Sequence, residues 1–340
     1  MKMNSKDRCL AAMAGQPVDR VPVFPLLMFL AANRAGITYR QFATDGRALA
    51  DAQLNMRERF GVDAITVCSD AFRVPADLGA EMSYPETKPP FATSRLVTRE
   101  SDLSALRRPD PLASGSRMAD RVRAAEILAK AAGRECLVLG WVDMPFAEAC
   151  SVCGLTEFML MLVDAPALAH KVLEFLTEIE IDFALAQYHA GAPMIGSGDA
   201  AASLISPDMY REFALPYEQR VCQAVHDAGG TVKLHICGNT TALLPDMVQS
   251  GADLYNVDHM VPFEDACRVY GEAGLCFKGN LDPVSDIMQA DAETCRRKAK
   301  ACIREAAGLR YMLSAGCEIP AETPDEVFDA FCRAAGERSG

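Results

Sequence analysis

Positive charge is what this sequence most clearly lacks. Its 340 residues include 34 lysines and arginines against 46 aspartates and glutamates, which gives a formal net charge of −12 and a pI near 5.0. A surface with this balance repels phosphate backbones and anionic lipid headgroups. The composition therefore argues against a general affinity for nucleic acid or for a membrane.

Long hydrophobic runs are also missing. The most apolar stretch, residues 21–32, contains Pro22 and Pro25 and is too short to span a bilayer. No segment resembles a signal peptide, a low-complexity region or a linker. Thirteen cysteines in such a chain are typical of a reducing compartment, where thiols are packed, catalytic or metal-bound. We therefore expect a cytoplasmic protein.

Short apolar runs alternate with segments of helical periodicity, such as 163–190 and 292–307. The runs that read as strands are 21–27, 63–69, 137–144, 192–199, 231–237, 254–259, 276–282 and 311–317. Eight strands alternating with helices predict an α/β fold, an eight-stranded parallel (β/α) TIM barrel forming one domain over residues 1–340. An open doubly wound sheet is the alternative. Residues 79–133 are rich in proline and predict an irregular excursion.

Two helix starts are marked by a hydroxyl residue followed by proline. They are Ser206-Pro207-Asp208 and Thr323-Pro324-Asp325-Glu326, and the second has the pattern of a capping box. We expect Ser206 and Thr323 to cap these helices.

Polar residues follow nearly every predicted strand, at the end where barrel active sites lie. They are Asp70, Asp143, Asp199, His235 with Cys237, Asp258 with His259, Asn280 with Asp282, and Cys317. We predict catalytic roles for Asp70, Asp199 and Asp258, and cofactor contacts for Asn280 and Asp282. An ion pair between Asp70 and Arg73 explains Asp70 equally well. Adjacent side chains on a strand point to opposite faces, so only one of Asp258 and His259 can point into the barrel.

His235, Cys237 and Cys317 form the strongest candidate site. Residues two apart on a strand face the same side, so the imidazole of His235 and the thiol of Cys237 should converge. Mixed nitrogen and sulfur ligands suit zinc, and three protein ligands leave a position open for a substrate. The simpler alternative is that all three are buried structural residues.

Two further motifs carry weaker signals. The spacing of Cys150 and Cys153 fits a redox or zinc pair, but it fits the start of a helix better. The stretch 196–201 loosely matches a dinucleotide fingerprint, but the carboxylate of Asp199 within it would repel a pyrophosphate. We expect neither motif to function in these ways.

From about residue 19 to 335 the chain resembles the uroporphyrinogen decarboxylase superfamily of (β/α) barrels. The matching stretches are Ser206-Pro207-Asp208-Met209-Tyr210-Arg211-Glu212-Phe213 with Leu215-Pro216-Tyr217, His235-Ile236-Cys237-Gly238-Asn239-Thr240, Gly279-Asn280-Leu281-Asp282-Pro283 and Gly316-Cys317-Glu318-Ile319-Pro320, with weaker matches at 17–23 and 68–70. Asp70 matches the catalytic aspartate of the decarboxylases.

The chain departs from the decarboxylases at two places. Where they carry an arginine-rich segment that grips the substrate's carboxylates, residues 28–34 are apolar apart from Asn33 and Arg34. Where they carry histidine in a Gly-His-Gly motif, this chain has Cys317. That cysteine, with His235 and Cys237, is similar to the zinc motif of the corrinoid-dependent methyltransferase branch, the methylcobamide:coenzyme M methyltransferases.

This resemblance implies a zinc enzyme that moves a methyl group between methylcobalamin and a thiol acceptor such as coenzyme M. Asp258 or Glu318 is a candidate for the fourth zinc ligand when no substrate is bound, and Arg73 for contact with a sulfonate. The chain has no Asp-x-His-x-x-Gly motif, so we expect the corrinoid to be carried by a separate small partner protein. A demethylase that takes methyl from an ether or amine, a decarboxylase-like lyase and a non-catalytic binder remain alternatives.

Overall fold

The structure, a computed structural model, describes residues 3–336. Its strands are β1 Ala64–Thr66, β2 Met82–Ser83, β3 Phe91–Ala92, β4 Leu137–Asp143, β5 Met194–Gly198, β6 Thr231–His235, β7 Leu254–Asn256, β8 Cys276–Leu281 and β9 Tyr311–Ala315. Its α-helices are α1 Ser5–Met13, α2 Phe29–Arg34, α3 Tyr39–Thr44, α4 Gly46–Phe60, α5 Arg73–Asp77, α6 Glu100–Ala105, α7 Arg117–Ala132, α8 Pro145–Cys153, α9 Leu155–Asp164, α10 Pro166–His189, α11 Pro207–Phe213, α12 Leu215–Asp227, α13 Leu244–Met247, α14 Phe263–Ala273, α15 Ala292–Glu305 and α16 Asp325–Arg333. A 3₁₀ turn spans Ala200–Leu204 and a π turn spans Pro283–Met288.

Seven strands form one parallel sheet in the order β1-β4-β5-β6-β7-β8-β9. Each pairs with its neighbour in the same direction, and helices connect them across the outside. The predicted (β/α) barrel is thereby confirmed as the fold class.

The predicted first strand, residues 21–27, is not a regular strand. Only isolated bridges join Val23 to Leu313 and Leu26 to Glu318. The reason is that Pro22 and Pro25 have no N–H to donate to a ladder. The segment nevertheless closes the barrel, because Phe24 N donates to Leu313 O at 2.9 Å and Asp63 N donates to Val23 O at 2.8 Å. An open sheet is excluded by these contacts.

Alternate residues of each strand point into the barrel. At its amino-terminal end these inward side chains form a separate apolar cluster of Phe24, Ala64, Leu137, Leu139, Met194, Leu254, Cys276 and Met312, closed by Cys9 and Ala12 of α1. The inward residues nearer the carboxyl ends are polar: Asp143, Lys233, His235, Asn256 and Lys278 are all buried. The polar and titratable side chains of the barrel interior therefore lie at its carboxyl-terminal end, whereas the amino-terminal end is apolar.

The two predicted helix caps have different outcomes. Ser206 caps α11 by accepting a hydrogen bond from Met209 N, as predicted. The Thr323 cap is wrong, since α16 begins at Asp325 with Pro324 as its N-cap and no side-chain cap bond. The carbonyl oxygen of Thr323 instead accepts a hydrogen bond from Arg34.

The excursion over residues 79–133 is less irregular than expected. It begins with the antiparallel hairpin of β2 and β3 and the short helix α6. Its last part is the 16-residue helix α7, which packs against α4 and β4 in the outer layer of the barrel.

No single helix between residues 3 and 336 is long and apolar enough to cross a membrane. Helices α8 and α9 pass that test only as a pair, and they are bent by 108° relative to each other.

Candidate metal centre

His235, Cys237 and Cys317 meet at the carboxyl end of the barrel. His235 is the last residue of β6, Cys237 follows it by two, and Cys317 lies just beyond β9. Cys237 Sγ is 3.0 Å from His235 Nε2 and 3.6 Å from Cys317 Sγ, and all three ligand atoms lie within 4.8 Å of one another. Cys237 and Cys317 are 80 positions apart in the sequence, yet the three residues offer one nitrogen and two sulfurs to a common point.

The spacing of these atoms fits a zinc ion. Tetrahedral zinc with Zn–S about 2.3 Å and Zn–N about 2.0 Å separates two sulfurs by about 3.8 Å and sulfur from nitrogen by about 3.5 Å. The sulfur–sulfur distance of 3.6 Å is close to this value, and the nitrogen–sulfur distance of 3.0 Å needs a small outward shift. His235 Nδ1 lies 3.1 Å from the carbonyl oxygen of Asn256. A carbonyl can only accept, so Nδ1 donates and Nε2 is left as the ligand atom.

The thiols of Cys237 and Cys317 shift each other's pKa in opposite directions. Hydrogen bonds from Cys237 and His235 lower the pKa of Cys317 to about 3, despite burial. The hydrogen bond to Cys317 and burial raise the pKa of Cys237. These opposite shifts favour a thiolate at Cys317 beside a protonated thiol at Cys237.

Neither predicted fourth ligand belongs to this cluster. Asp258 Oδ1 accepts a hydrogen bond from Met260 N at 2.9 Å and lies 3.0 Å from His259 Nδ1. Glu318 accepts a hydrogen bond from Phe29 N, and burial raises its pKa well above its usual value. The side chain of Asp258 is 6% exposed and that of His259 is 36% exposed. Asp258 is therefore the member of the pair that faces inward.

Asp70 lies at the same end of the barrel in a buried ion pair, but its partner is not Arg73. Arg117 Nη2 lies 2.7 Å from Asp70 Oδ2, and Ser69 Oγ donates to the same oxygen at 2.7 Å. Burial opposes ionisation, but the charges of Arg117 and Arg73 hold the pKa of Asp70 below its usual value. The Asp70 carboxylate is thus ionised, and Arg117 and Ser69 already bind it.

Arg73 pairs with Asp143 instead and is 1% exposed. It is therefore not placed to grip a sulfonate at the surface. Glu148 and Glu180 lie in the same buried cluster, where burial and the charge of Asp143 raise the pKa of Glu180 to about 8.

The expectation that Asp199 faces the barrel rim is wrong. Gly198 is the inward residue at this point, so Asp199 points outward between β5 and the helices and is fully buried. Its Oδ1 accepts a hydrogen bond from Ala147 N at 2.8 Å, and burial and the nearby Glu218 raise its pKa well above the usual value.

Asn280 and Asp282 both hold neighbouring loops. Asn280 Nδ2 donates to the carbonyl oxygens of Asp258 at 3.1 Å and Val261 at 2.7 Å. Asp282 Oδ1 accepts a hydrogen bond from Val284 N at 2.8 Å and caps the π turn. Their predicted contact with a cofactor stays a prediction.

Sequence reasoning missed Lys233, which lies inside the barrel two residues before His235. Its ammonium group lies 4.4 Å from the centre of the Trp141 ring. Burial lowers its pKa to about 8, while the nearby side chains of Cys68, Cys237 and Cys317 act to raise it. The signal was present, because the alternation that aligned His235 with Cys237 also aligns Lys233.

The weaker motifs have structural roles. Cys150 and Cys153 are buried in α8, and all thirteen cysteines are free thiols. Gly196 packs against the Trp141 ring, where a Cβ atom would come within 2.6 Å of it. A cleft of about 560 Å³ opens beside Asp143, with Ala147, Leu155, Ala201 and Leu204 in its wall, and the three metal-ligand candidates are not part of its lining.

Comparison with known proteins agrees with this architecture. The family model described as uroporphyrinogen decarboxylase (URO-D) matches residues 4–338. A uroporphyrinogen decarboxylase of Xanthomonas campestris pv. campestris is 28% identical over 308 residues, which is 85% of each chain. The methylcobamide:CoM methyltransferase MtbA of Methanosarcina mazei is 28% identical over 333 residues, which is 94% of each chain. A solved structure of a methyltransferase from Methanosarcina mazei has the same fold, with a TM-score of 0.89 and 24% identity over 98% of both chains. Since the decarboxylase and the methyltransferase are equally similar, the choice between their activities depends on the site.

Proposed function

Because this chain belongs to the uroporphyrinogen decarboxylase family, whose members compared above include decarboxylases and methyltransferases, we propose that it is a zinc-dependent methyltransferase. It transfers a methyl group between a corrinoid protein and a thiol acceptor such as coenzyme M. The observation that carries the proposal is the convergence of His235, Cys237 and Cys317 within 4.8 Å.

The donor set matches what thiol activation needs. Zinc bound there supplies positive charge that keeps an acceptor thiol ionised at neutral pH. The chain contributes two thiolates and one imidazole, and the Asn256 carbonyl orients that imidazole. Three protein ligands leave a coordination position for the acceptor.

The overall transfer balances without a further reactant. The carbon–cobalt bond of the methylated corrinoid breaks and a carbon–sulfur bond forms at the acceptor. Cobalt keeps the electron pair, and the proton of the acceptor thiol passes to solvent. The corrinoid itself is brought by a small partner protein, and the thirteen free thiols suit a cytoplasmic location.

A decarboxylase activity is the second candidate, because a decarboxylase is as similar to this chain as the methyltransferase. A porphyrin substrate with many carboxylates needs cationic groups at the barrel mouth. Helix α2 supplies only Arg34, which is held by Asp325 and by Thr323 O. Arg73 and Arg117 are buried and paired with carboxylates of their own. These contacts favour methyl transfer.

The deciding experiment measures both activities on one preparation. Zinc content is determined first, and we expect one zinc per chain. Methyl transfer from free methylcobalamin to several thiols, including coenzyme M, is then followed by the cobalamin spectrum. Cys237→Ala should lose transfer, and Cys68→Ala, which removes a barrel thiol outside the candidate centre, should keep it.

Zinc-replete protein that changes the cobalamin spectrum with none of the thiols would refute the proposal. Incubation with reduced cobalamin and methyl ethers or methylamines tests the demethylase direction. Incubation with uroporphyrinogen tests the decarboxylase alternative, and carbon dioxide release by metal-free protein would establish it.

A further inference from the structure

Lys233 is a buried cation that has no hydrogen-bond acceptor within the described part of the chain. It lies on β6, on the same inward face as His235, and is 1% exposed. Its ammonium group stacks on Trp141 at 4.4 Å, and no hydrogen-bond partner for its Nζ exists among residues 3–336. An aromatic face offsets only part of the cost of removing an ammonium from water.

A second lysine in the barrel shows that this position is unusual. Lys278 on β8 is also 1% exposed and lies 4.3 Å from the Phe24 ring. Its Nζ, however, donates to Phe24 O at 2.7 Å and lies 3.3 Å from Ser314 Oγ. The barrel interior can therefore satisfy a lysine, and at Lys233 it does not.

Lys233 lies next to the candidate metal centre, because the ligand His235 follows it by two residues on the same inward face of β6. The sulfur side chains that act on its ammonium group are those of Cys68, Cys237 and Cys317. Burial keeps Cys68 a neutral thiol, since it raises the pKa of that side chain well above its usual value. The relevant charges are therefore those at the candidate metal centre.

Counting charges shows when the positive charge of the Lys233 ammonium group is balanced by negative charge at the centre. Thiolates at Cys237 and Cys317 cancel the two positive charges of zinc, which leaves the lysine uncompensated. A third thiolate, contributed by the acceptor, brings one more negative charge to the centre. Counted over zinc, the three sulfurs and Lys233 alone, without the Asp258 carboxylate that also acts on Cys237, the charges sum to zero only with that thiolate bound.

We propose that the Lys233 ammonium group is the countercharge for the thiolate of the bound acceptor, an inference that rests on the function proposed above. Its role is electrostatic and acts on the acceptor sulfur. It is independent of the rest of the acceptor molecule.

The expected size of the effect follows from geometry. Two residues of strand rise separate Lys233 from His235 by about 7 Å along the chain. With this backbone separation taken as the scale of the distance between the charges, opposite unit charges at about 7 Å, in surroundings with an effective dielectric constant near 20, change an equilibrium constant roughly 50-fold. Loss of the charge should therefore weaken thiol binding by at least about tenfold.

The test uses cobalt(II)-substituted protein, in which thiolate binding appears as a sulfur-to-cobalt charge-transfer band. The probes are 2-mercaptoethanol, 2-mercaptoethanesulfonate and imidazole, and each is titrated at one pH. For Lys233→Met we expect both thiols to bind at least about tenfold more weakly and imidazole, which brings no charge, to bind as before. Lys278→Met is the matched control: burial lowers the pKa of Lys278 well below its usual value, so its removal should change the thiol affinities less than Lys233→Met does and leave the imidazole affinity unchanged.

Folding is checked by urea unfolding of metal-free protein. Removal of an unsatisfied ammonium should leave Lys233→Met at least as stable as the wild type, and Lys233→Gln serves if the methionine variant does not fold.

The outcomes separate this inference from the proposed function. Unchanged thiol affinity in the folded variant overturns the inference, and so does a loss confined to the sulfonate, because the lysine would then contact the tail of the acceptor. A loss of cobalt binding also overturns it, since the role would lie with the metal. Wild-type cobalt protein that binds no thiol contradicts the proposed function itself.

Discussion

Removal of Cys317 tests the metal centre most directly. Structural zinc sites with four protein ligands bind with about 10–16 kcal/mol, so each ligand contributes roughly 3 kcal/mol. We expect Cys317→Ala to bind zinc at least about 100-fold more weakly than the wild type. Since Cys317 is partly exposed, its own contribution to folding should be small, within about 1 kcal/mol.

The affinity is measured by competition with a chromophoric chelator at pH 7. Cys68→Ala is the matched control, because Cys68 is also a barrel thiol, its sulfur contacts Met28 Sδ at 3.2 Å, and it is not a member of the cluster of His235, Cys237 and Cys317. Zinc affinity should be unchanged in this control. Urea unfolding of both metal-free variants separates a lost ligand from a damaged fold.

Two results would refute the reasoning. One is a zinc affinity of Cys317→Ala within a factor of three of the wild type in a folded protein. The other is an equal loss of zinc affinity in Cys68→Ala, which would show that any barrel thiol has this effect.

Three further predictions concern the buried groups around the centre. Arg117→Met should destabilise the fold by about 3–5 kcal/mol because it leaves the Asp70 carboxylate unpaired, and Asp70→Asn in the same chain should recover much of the loss in urea unfolding. Glu180 has a folded pKa raised from 4.5 to about 8, so the folded state holds a proton that the unfolded state has released, and stability should fall as pH rises through this window. Glu180→Gln should therefore flatten the decline and gain on the order of 1 kcal/mol at pH 8, and identical pH profiles would contradict this. Gly196→Ala should cost about 1–3 kcal/mol by collision with Trp141, and Trp141→Phe should reduce that cost, whereas an unaltered melting curve for Gly196→Ala would count against the close packing.

The fold was predictable because it depends on repeated local patterns. Seven of the eight predicted strand positions contain a regular parallel strand. The exception, residues 21–27, has the apolar composition of a strand but lacks two ladder donors at Pro22 and Pro25. The apolar composition indicated that this segment is buried. Its hydrogen bonding to neighbouring strands, however, depends on which of its residues still have an N–H to donate.

The site was predictable where the argument needed only strand periodicity. Period two placed His235 with Cys237 and would equally have identified Lys233. The same alternation places Asp199 on the outer face at the end of β5, because its neighbour Gly198 points into the barrel. The partners of the charged residues were not predictable, since Asp70 meets Arg117 across 47 positions and Arg73 meets Asp143 across 70.

The sequence by itself determined the barrel, the end of it that carries polar residues, and the types of atom offered to a metal. These follow from alternation along single strands and from the chemistry of single side chains. Only the tertiary structure decided that Cys317 Sγ lies 3.6 Å from Cys237 Sγ, that Asp70 is already paired, and that Lys233 finds no acceptor among residues 3–336. These contacts depend on which elements, far apart in the sequence, meet when the barrel closes. A local sequence pattern carries no information about such long-range contacts.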